Sequence, residues 1–111
     1  MEKILYIANS QNAAGAFKDS KEIAKMIGEG KVETFRVEAR ARGIPDAEWV
    51  TALVIAFVEV SFQEERDTWE LFVQKAIDWL NKPELVAEAK NCLMYLTDKE
   101  ELFRLLHIDT P

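Results

Sequence analysis

The 111-residue chain is poor in several residue types that would narrow its function. A single cysteine, Cys92, excludes both an internal disulfide and a cage of cysteine ligands around a metal. His107 is the one histidine, so neither a histidine pair for a metal nor a catalytic dyad can be argued from it. Four glycines and three prolines exclude collagen-like and low-complexity chains. We therefore predict no metal, no cofactor and no catalytic residues, which favours a non-enzyme over an enzyme.

Long apolar runs are also missing. The run at residues 4–8 is too short for the hydrophobic part of a secretory signal. The longest apolar window, residues 49–58, lies between Glu48 and Glu59 and has about half the length that a membrane span needs. The sequence therefore predicts a protein that does not enter a membrane and that resides in the cytoplasm, where a lone cysteine stays reduced.

Positive charge is scarce and unevenly placed. The 14 Lys and Arg residues are outnumbered by 20 Asp and Glu residues, for a net charge of −6, which disfavours a generic role in coating DNA or membranes. Residues 1–45 carry a net +2, and residues 46–111 carry a net −8. This asymmetry predicts an acidic surface that could steer a basic partner. The plainer interpretation is that the second half contains acidic helices that need a solvated face.

Three stretches have the pattern of β-strands, in a chain whose length suits one domain over residues 1–111. Residues 4–8 are apolar and β-favouring, as in a strand buried on both faces. Residues 34–42 alternate strictly, with Phe35 on the apolar face, which predicts a strand with one face on the core and one in water. Residues 92–96 predict a further strand, which is the fourth in the chain because another is predicted at 52–61 below.

The apolar run at residues 52–61 fits two structures. Trp49, Leu53, Ala56 and Val60 could form one stripe of a helix that begins at Asp46. The run is nevertheless rich in β-branched and aromatic residues, and their crowding disfavours a helix. We therefore predict a central strand at 52–61, with the helix as the alternative.

Helical patterns separate these stretches. A helix is predicted to start near Asp19 or Ser20, with Gly28 and Gly30 as stop positions. The clearest helix has one apolar stripe over three turns, formed by Trp69, Phe72, Val73, Ala76, Ile77 and Leu80. Pro83 begins a short amphipathic piece, and a last helix is predicted over 98–107.

The resulting order, β-α-β-β-α-(α)-β-α, predicts an α+β or α/β domain with one four-stranded sheet. This order favours a ferredoxin-like fold with an added C-terminal helix. A small flavodoxin-like three-layer sandwich is the alternative, because it also accounts for strands that are apolar on both faces. In the ferredoxin-like case one apolar sheet face needs a cover, and a homodimer would supply it.

Two groups of residues are candidate binding sites. The loop after the first predicted strand could hold a small anion or nucleotide through its amides; its candidate residues are Asn9, Ser10, Gln11, Asn12 and Gly15. It matches neither the P-loop pattern nor the three-glycine dinucleotide pattern. Arg36, Arg40 and Arg42 could instead meet an anion or a partner protein. Nucleic acid is disfavoured, because the aromatic Phe35 lies opposite these arginines and the RNA-binding consensus is missing.

Two functions follow from these features. The first is a non-catalytic acidic protein-binding module, of the inhibitor, immunity or regulatory-partner type, that presents an acidic helical surface to a basic partner. The alternative is a small-molecule or anion-binding domain that uses the loop at residues 9–15.

Overall fold

The computed structural model describes residues 2–94, and all regular structure in this range is helical. The helices are α1 (Glu2–Ser10), α2 (Lys21–Ile27), α3 (Glu29–Ala41), α4 (Asp46–Ser61), α5 (Arg66–Leu80) and α6 (83–94), and a 3-10 turn (Gln63–Glu65) joins α4 to α5. No strand occurs between residues 2 and 94, so the predicted four-stranded sheet is wrong in both its ferredoxin-like and its flavodoxin-like form. The homodimer was predicted to cover a sheet face, and it loses that physical basis.

Helix α4 lies at the centre of the bundle and packs against α2, α3 and α5. Nine of its sixteen residues are buried, and they cover all sides of the helix. A helix surrounded in this way is apolar on all sides, so the stripe of Trp49, Leu53, Ala56 and Val60 does not stand out in its sequence. Packing overrides the intrinsic preference of its β-branched residues. The strand predicted at 52–61 is therefore wrong, and the alternative helix beginning at Asp46 is the observed one.

The alternation at residues 34–42 also belongs to a helix. In α3 the buried residues are Val32, Phe35 and Ala39, which lie at i, i+3 and i+7 on one side of the helix. Val37, which the alternation assigns to the same face, is 59% exposed. The predicted strand is wrong because Phe35 and Ala39 fit a period of two and a helical period equally well.

The strands predicted at residues 4–8 and 92–96 are not observed in the described residues either. Residues 4–8 lie in α1, which buries Ile4 and Ile7 one turn apart and packs on α5. Residues 92–94 continue α6, and the rest of the strand predicted at 92–96 lies outside the described residues. The helix predicted over 98–107 also lies outside them.

Several local predictions are confirmed. Helix α2 begins where expected, with the Ile23 amide donating to the Ser20 Oγ at 3.1 Å. Gly28 ends it with a φ of 121°, whereas Gly30 lies inside α3. The apolar stripe of α5 is also confirmed, although it packs against other helices and not against a sheet.

Side chains on and just before α6 connect this helix to α4. Lys82, just before α6, pairs with Glu48, and Lys90 pairs with Glu59 at 3.4 Å. Leu85, Ala89 and Leu93 are buried at helical spacing. The helix is therefore held by an apolar stripe with ion pairs at its edges.

Candidate functional site

The candidate loop follows helix α1 and not a strand. Its turn is built around Asn12, whose Oδ1 accepts hydrogen bonds from the amides of Ala14, Gly15 and Ala16, each at 3.0 Å. An Asn side chain that caps three successive amides in this way fixes the backbone of a turn. Two amides of the loop predicted to bind an anion, those of Ala14 and Gly15, are therefore already bonded to Asn12.

The same loop is fastened to α5. The Gln11 Nε2 donates to the carbonyl of Gly15 at 3.0 Å and to the carbonyl of Phe72 at 2.8 Å. Gly15 has a φ of +113°, and a Cβ built on it would lie 2.7 Å from the Lys75 carbonyl oxygen. The position therefore needs glycine for its backbone angle and for the close approach of α5.

Asn9 and Ser10 lie apart from this turn, in the last turn of α1. The Ser10 hydroxyl donates to the carbonyl of Tyr6 at 2.8 Å, and Asn9 is exposed. The structure thus brings Gln11, Asn12 and Gly15 together for a structural purpose and leaves the other two candidates on the helix. Ligand binding by these five residues stays a prediction.

Arg36, on α3, occupies a partly buried position between two helices. Its guanidinium contacts Asp19 at 2.7 Å and pairs with Glu33. Its Cζ also lies 5.3 Å from the centre of the Trp49 ring, a cation–π distance. The hydrogen bond to Asp19 is the main cause that raises the pKa of Arg36, so this side chain remains a cation held in place.

Arg40 lies one turn further along α3 and fastens it to the start of α4. Its Nε and Nη2 donate to the two carboxylate oxygens of Asp46 at 3.2 and 3.0 Å. The Trp49 Nε1 donates to the same carboxylate at 2.8 Å. The pKa of Asp46 is lowered, first by the hydrogen bond from Arg40 and then by the one from Trp49.

Arg42, just after α3, completes the series by donating to both carboxylate oxygens of Glu88 on α6, at 2.6 and 3.3 Å. The three arginines therefore join α3 to the α2 side, to α4 and to α6 in turn. Anion or partner binding by Arg36, Arg40 and Arg42 stays a prediction, and each guanidinium would first have to leave a carboxylate. The three carboxylate partners on other segments could not be recognised in the sequence. The contact between Asp46 and Trp49 has the helical i, i+3 spacing, which is a signal that the sequence does contain.

Two surface depressions adjoin helix α2. An open cleft of about 560 Å³ runs between α2 and α3, and its charged groups include Asp19, Glu33 and Arg36, which already bond to one another. A groove of about 270 Å³ lies between the ends of α2, α4 and α6, lined mainly by apolar side chains such as Phe57 and Met94. The Ser20 hydroxyl also lines the cleft, where its Oγ accepts the Ile23 amide as the cap of α2.

Cys92 lies half-buried on α6, near the α3 backbone. Burial is the main cause that raises the pKa of its thiol, and the charge of Glu38 adds to the effect. A thiol with a raised pKa is mostly protonated at neutral pH and is a weak nucleophile. This environment suits a packed side chain and not a reactive one.

The outward side of α5 differs from all of these places, and we call it the outer stripe. It consists of Asp67, Leu71, Gln74 and Asp78, which follow one another at i, i+4, i+7 and i+11, opposite the buried side of α5. Leu71 is 86% exposed. It lies off the apolar stripe that the sequence predicts for α5, and this departure is the signal by which sequence reasoning could have found it.

Negative charge dominates around the outer stripe. Between residues 63 and 80 there are five carboxylates and two cations. Arg66 lies 3.6 Å from Glu70, and the Gln74 amide donates to Asp78 at 3.0 Å. Glu64 and Asp67 form no ion pair within the described part of the chain. The stripe is therefore a solvated acidic surface with one leucine at its centre.

Two further observations concern residues 2–94 only. No three His, Cys, Asp or Glu side chains in this range gather closely enough to hold a metal ion. None of the helices described here has both the length and the apolar composition that a membrane crossing requires.

Comparison with known proteins gives one partial similarity. No family model matches the chain, and no solved structure matches it. A stretch of 78 residues, 70% of the chain, is 30% identical to part of von Willebrand factor A domain-containing protein 5A from Rattus norvegicus. The matched part is only 9% of that protein. The chain is thus similar to a small portion of a far longer protein.

Proposed function

We propose that this domain is a non-catalytic protein-binding module and that its binding surface is the outer stripe of α5. The observation that carries the proposal is the exposure of Leu71 in the middle of an acidic helix face. Burying a leucine of this kind against a partner removes apolar surface from water and stabilises the complex. The carboxylates around it speed the encounter with a basic partner and add specificity.

The use of charge elsewhere in the domain supports this choice of surface. Arg36, Arg40 and Arg42 each hold a carboxylate of a neighbouring segment. Asp67 holds no carboxylate or cation of another segment within residues 2–94, although it lies on a helix that packs into the same core. Charges that hold helices together cannot turn to a partner without weakening the fold, whereas those of the outer stripe can.

The partial similarity also agrees with a module. The matched part of von Willebrand factor A domain-containing protein 5A is a small fraction of a long chain, as is typical of a unit that contributes one interaction to a larger protein. The alternative, a small-molecule or anion site in the loop after α1, gains no support, because Gln11 and Asn12 are occupied in building that loop. A cytoplasmic location is part of the proposal and rests on the lone half-buried Cys92.

Co-purification with a matched pair of variants tests the proposal. The face variant carries Asp67→Lys, Leu71→Arg and Asp78→Lys, and the control carries Glu22→Lys and Glu84→Lys, two exposed acids on α2 and α6. Circular dichroism establishes that both variants are folded. Proteins that the wild type retains are identified by quantitative mass spectrometry, and each is then purified and titrated calorimetrically against the three domains.

We expect a purified partner that binds the wild type and the control equally and the face variant at least tenfold more weakly. The proposal is wrong if every purified partner binds the face variant as tightly as the wild type. It is also wrong if no purified protein binds the wild-type domain at all.

A further inference from the structure

We infer that the partner presents a basic amphipathic helix, which lies along α5 with cations near Asp67 and Asp78 and apolar side chains around Leu71. This inference rests on the proposed function, because it specifies the partner of the same surface. It adds the secondary structure of the partner and the spacing of its charges.

The length of the outer stripe sets that spacing. Asp67 and Asp78 are eleven residues apart on a regular helix, which corresponds to about 16 Å along its axis at 1.5 Å per residue. Leu71 and Gln74 lie between them on the same line. The surface is therefore a narrow strip three turns long, acidic at its two ends and apolar near its centre. A partner helix of three turns has the same length and can place side chains at the same intervals.

The backbone of α5 argues for a helix over other peptide conformations. An exposed helix has no free row of amides and carbonyls, so an extended peptide cannot add to it as a strand does to a sheet edge. A polyproline segment needs an aromatic groove, and the outer stripe contains no aromatic residue. Two helices, in contrast, pack by fitting side-chain ridges into grooves at 8–10 Å between axes. Recognition through side chains alone is what this surface allows.

Charge decides which kind of helix fits. The carboxylates of Asp67 and Asp78 lie at the ends of the stripe, so cations eleven residues apart on the partner would meet both. Glu70 and Lys75 are exposed on opposite flanks of the stripe, each about 70° around the helix from it at 3.6 residues per turn. Glu70 already pairs with Arg66 at 3.6 Å, whereas Lys75 places a cation on the other flank, so a basic helix is repelled more strongly from the Lys75 flank.

Synthetic peptides provide the test with defined probes. The first peptide is an 18-residue capped helix with two lysines eleven residues apart and leucines at the two intervening stripe positions. The second has the same composition in scrambled order, and the third replaces both lysines by glutamates. Each carries a fluorophore, and its binding to the wild-type domain is followed by fluorescence anisotropy at 150 mM NaCl.

We expect the first peptide to bind at least tenfold more tightly than either other peptide. Leu71→Ala should weaken its binding about tenfold, as expected when a buried leucine is truncated. Asp67→Asn with Asp78→Asn should slow its association and reduce the salt dependence. The control Glu22→Gln with Glu84→Gln should change neither.

Equal binding of the ordered and scrambled peptides, or no binding of the ordered one, overturns the inference. In either case the proposed function stands if the purified partner still loses affinity for the face variant. If the partner also ignores the face variant, both proposals fail. The two experiments therefore separate a wrong partner class from a wrong surface.

Discussion

Helices α4 and α5 are neighbours in sequence and pack against each other, yet they differ greatly in how much of their surface is buried. Nine of the sixteen residues of α4 are buried, against four of the fifteen residues of α5. Leu53 on α4 is 1% exposed, whereas Leu71 on α5 is 86% exposed. The same residue type thus supports the fold in one helix and remains available to a partner in the other. The comparison separates the part of the chain that determines stability from the part that we assign to recognition.

The largest effect is expected in the first turn of α4. Trp49 is buried, lies under the Arg36 guanidinium and donates a hydrogen bond to Asp46. Trp49→Ala leaves a large cavity and should lower the free energy of unfolding by about 3–5 kcal/mol. Urea denaturation followed by circular dichroism measures the loss. A loss below about 1 kcal/mol would mean that α4 is not the centre of the core.

A smaller effect is expected from one hydroxyl group of α4. The Thr51 Oγ1 accepts a hydrogen bond from the buried Phe17 amide at 3.0 Å. Thr51→Val leaves that amide without a partner and should lower the free energy of unfolding by about 1–3 kcal/mol. The matched change on α5, Thr68→Val, alters an exposed residue and should stay within about 0.5 kcal/mol. Similar losses for the two variants in urea titrations would remove the contrast between the helices.

The close contact between the loop at Gly15 and the backbone of α5 gives the next prediction. Gly15→Ala places a Cβ against the Lys75 carbonyl at a positive φ and should destabilise the domain by about 1–3 kcal/mol. Gly30→Ala in α3 meets nothing within 4 Å and should stabilise it by about 0.5–1 kcal/mol. Melting temperatures should therefore move in opposite directions. A shift in the same direction would contradict the close approach of the loop to α5.

The ion pair at the start of α4 predicts a dependence on pH. The pKa of Asp46 is lower in the folded state, so its contribution to stability is present above the unfolded pKa of about 3.9 and is lost as pH falls towards the folded pKa. Between pH 5 and pH 2 the wild type should therefore lose more stability than Asp46→Asn. Arg40→Gln removes the main cause of the shift and should give the same flatter profile. Parallel profiles for all three proteins in acid titrations would contradict the pair.

The smallest effect on stability is expected at Leu71. Leu71→Gln changes an exposed side chain, so the free energy of unfolding should stay within about 0.5 kcal/mol of the wild type. Leu71→Gln should nevertheless weaken partner binding directly. Trp49→Ala, in contrast, should weaken partner binding only because it unfolds part of the domain population. A destabilisation above about 1 kcal/mol in urea would show that Leu71 supports the fold after all.

A helix could be predicted from the sequence where its signal is local, and could not be where tertiary packing determines it. The apolar stripe of α5 and the Ser20 cap of α2 are local signals, and both could be predicted from the sequence. Helix α4 was predicted only as the alternative to a strand, because burial on all sides hides the apolar stripe on which a helix prediction depends. In α3, Phe35 and Ala39 fit two periods at once, and only the exposure of Val37 decides between them.

The candidate sites divide in a similar way. An acidic helical surface was predicted from the charge of the second half, and α5 provides one. The ties of Arg36 to Asp19 and of Arg42 to Glu88 span 17 and 46 residues, so no local pattern reveals them. These guanidinium groups pair with carboxylates only because of the way the helices pack. A prediction based on a sheet therefore could not show that the arginines are already paired.

The central position of α4 also governs how the native domain opens locally. Backbone amides exchange with solvent when their segment opens, and segments that need global unfolding exchange most slowly. Helix α4 packs against three helices, so its hydrogen bonds cannot open without separating all of them. Helix α1 packs mainly on α5 and can detach while the rest stays intact. Amide protection should therefore rise from α1 inward to α4, and the domain should loosen from its first helix.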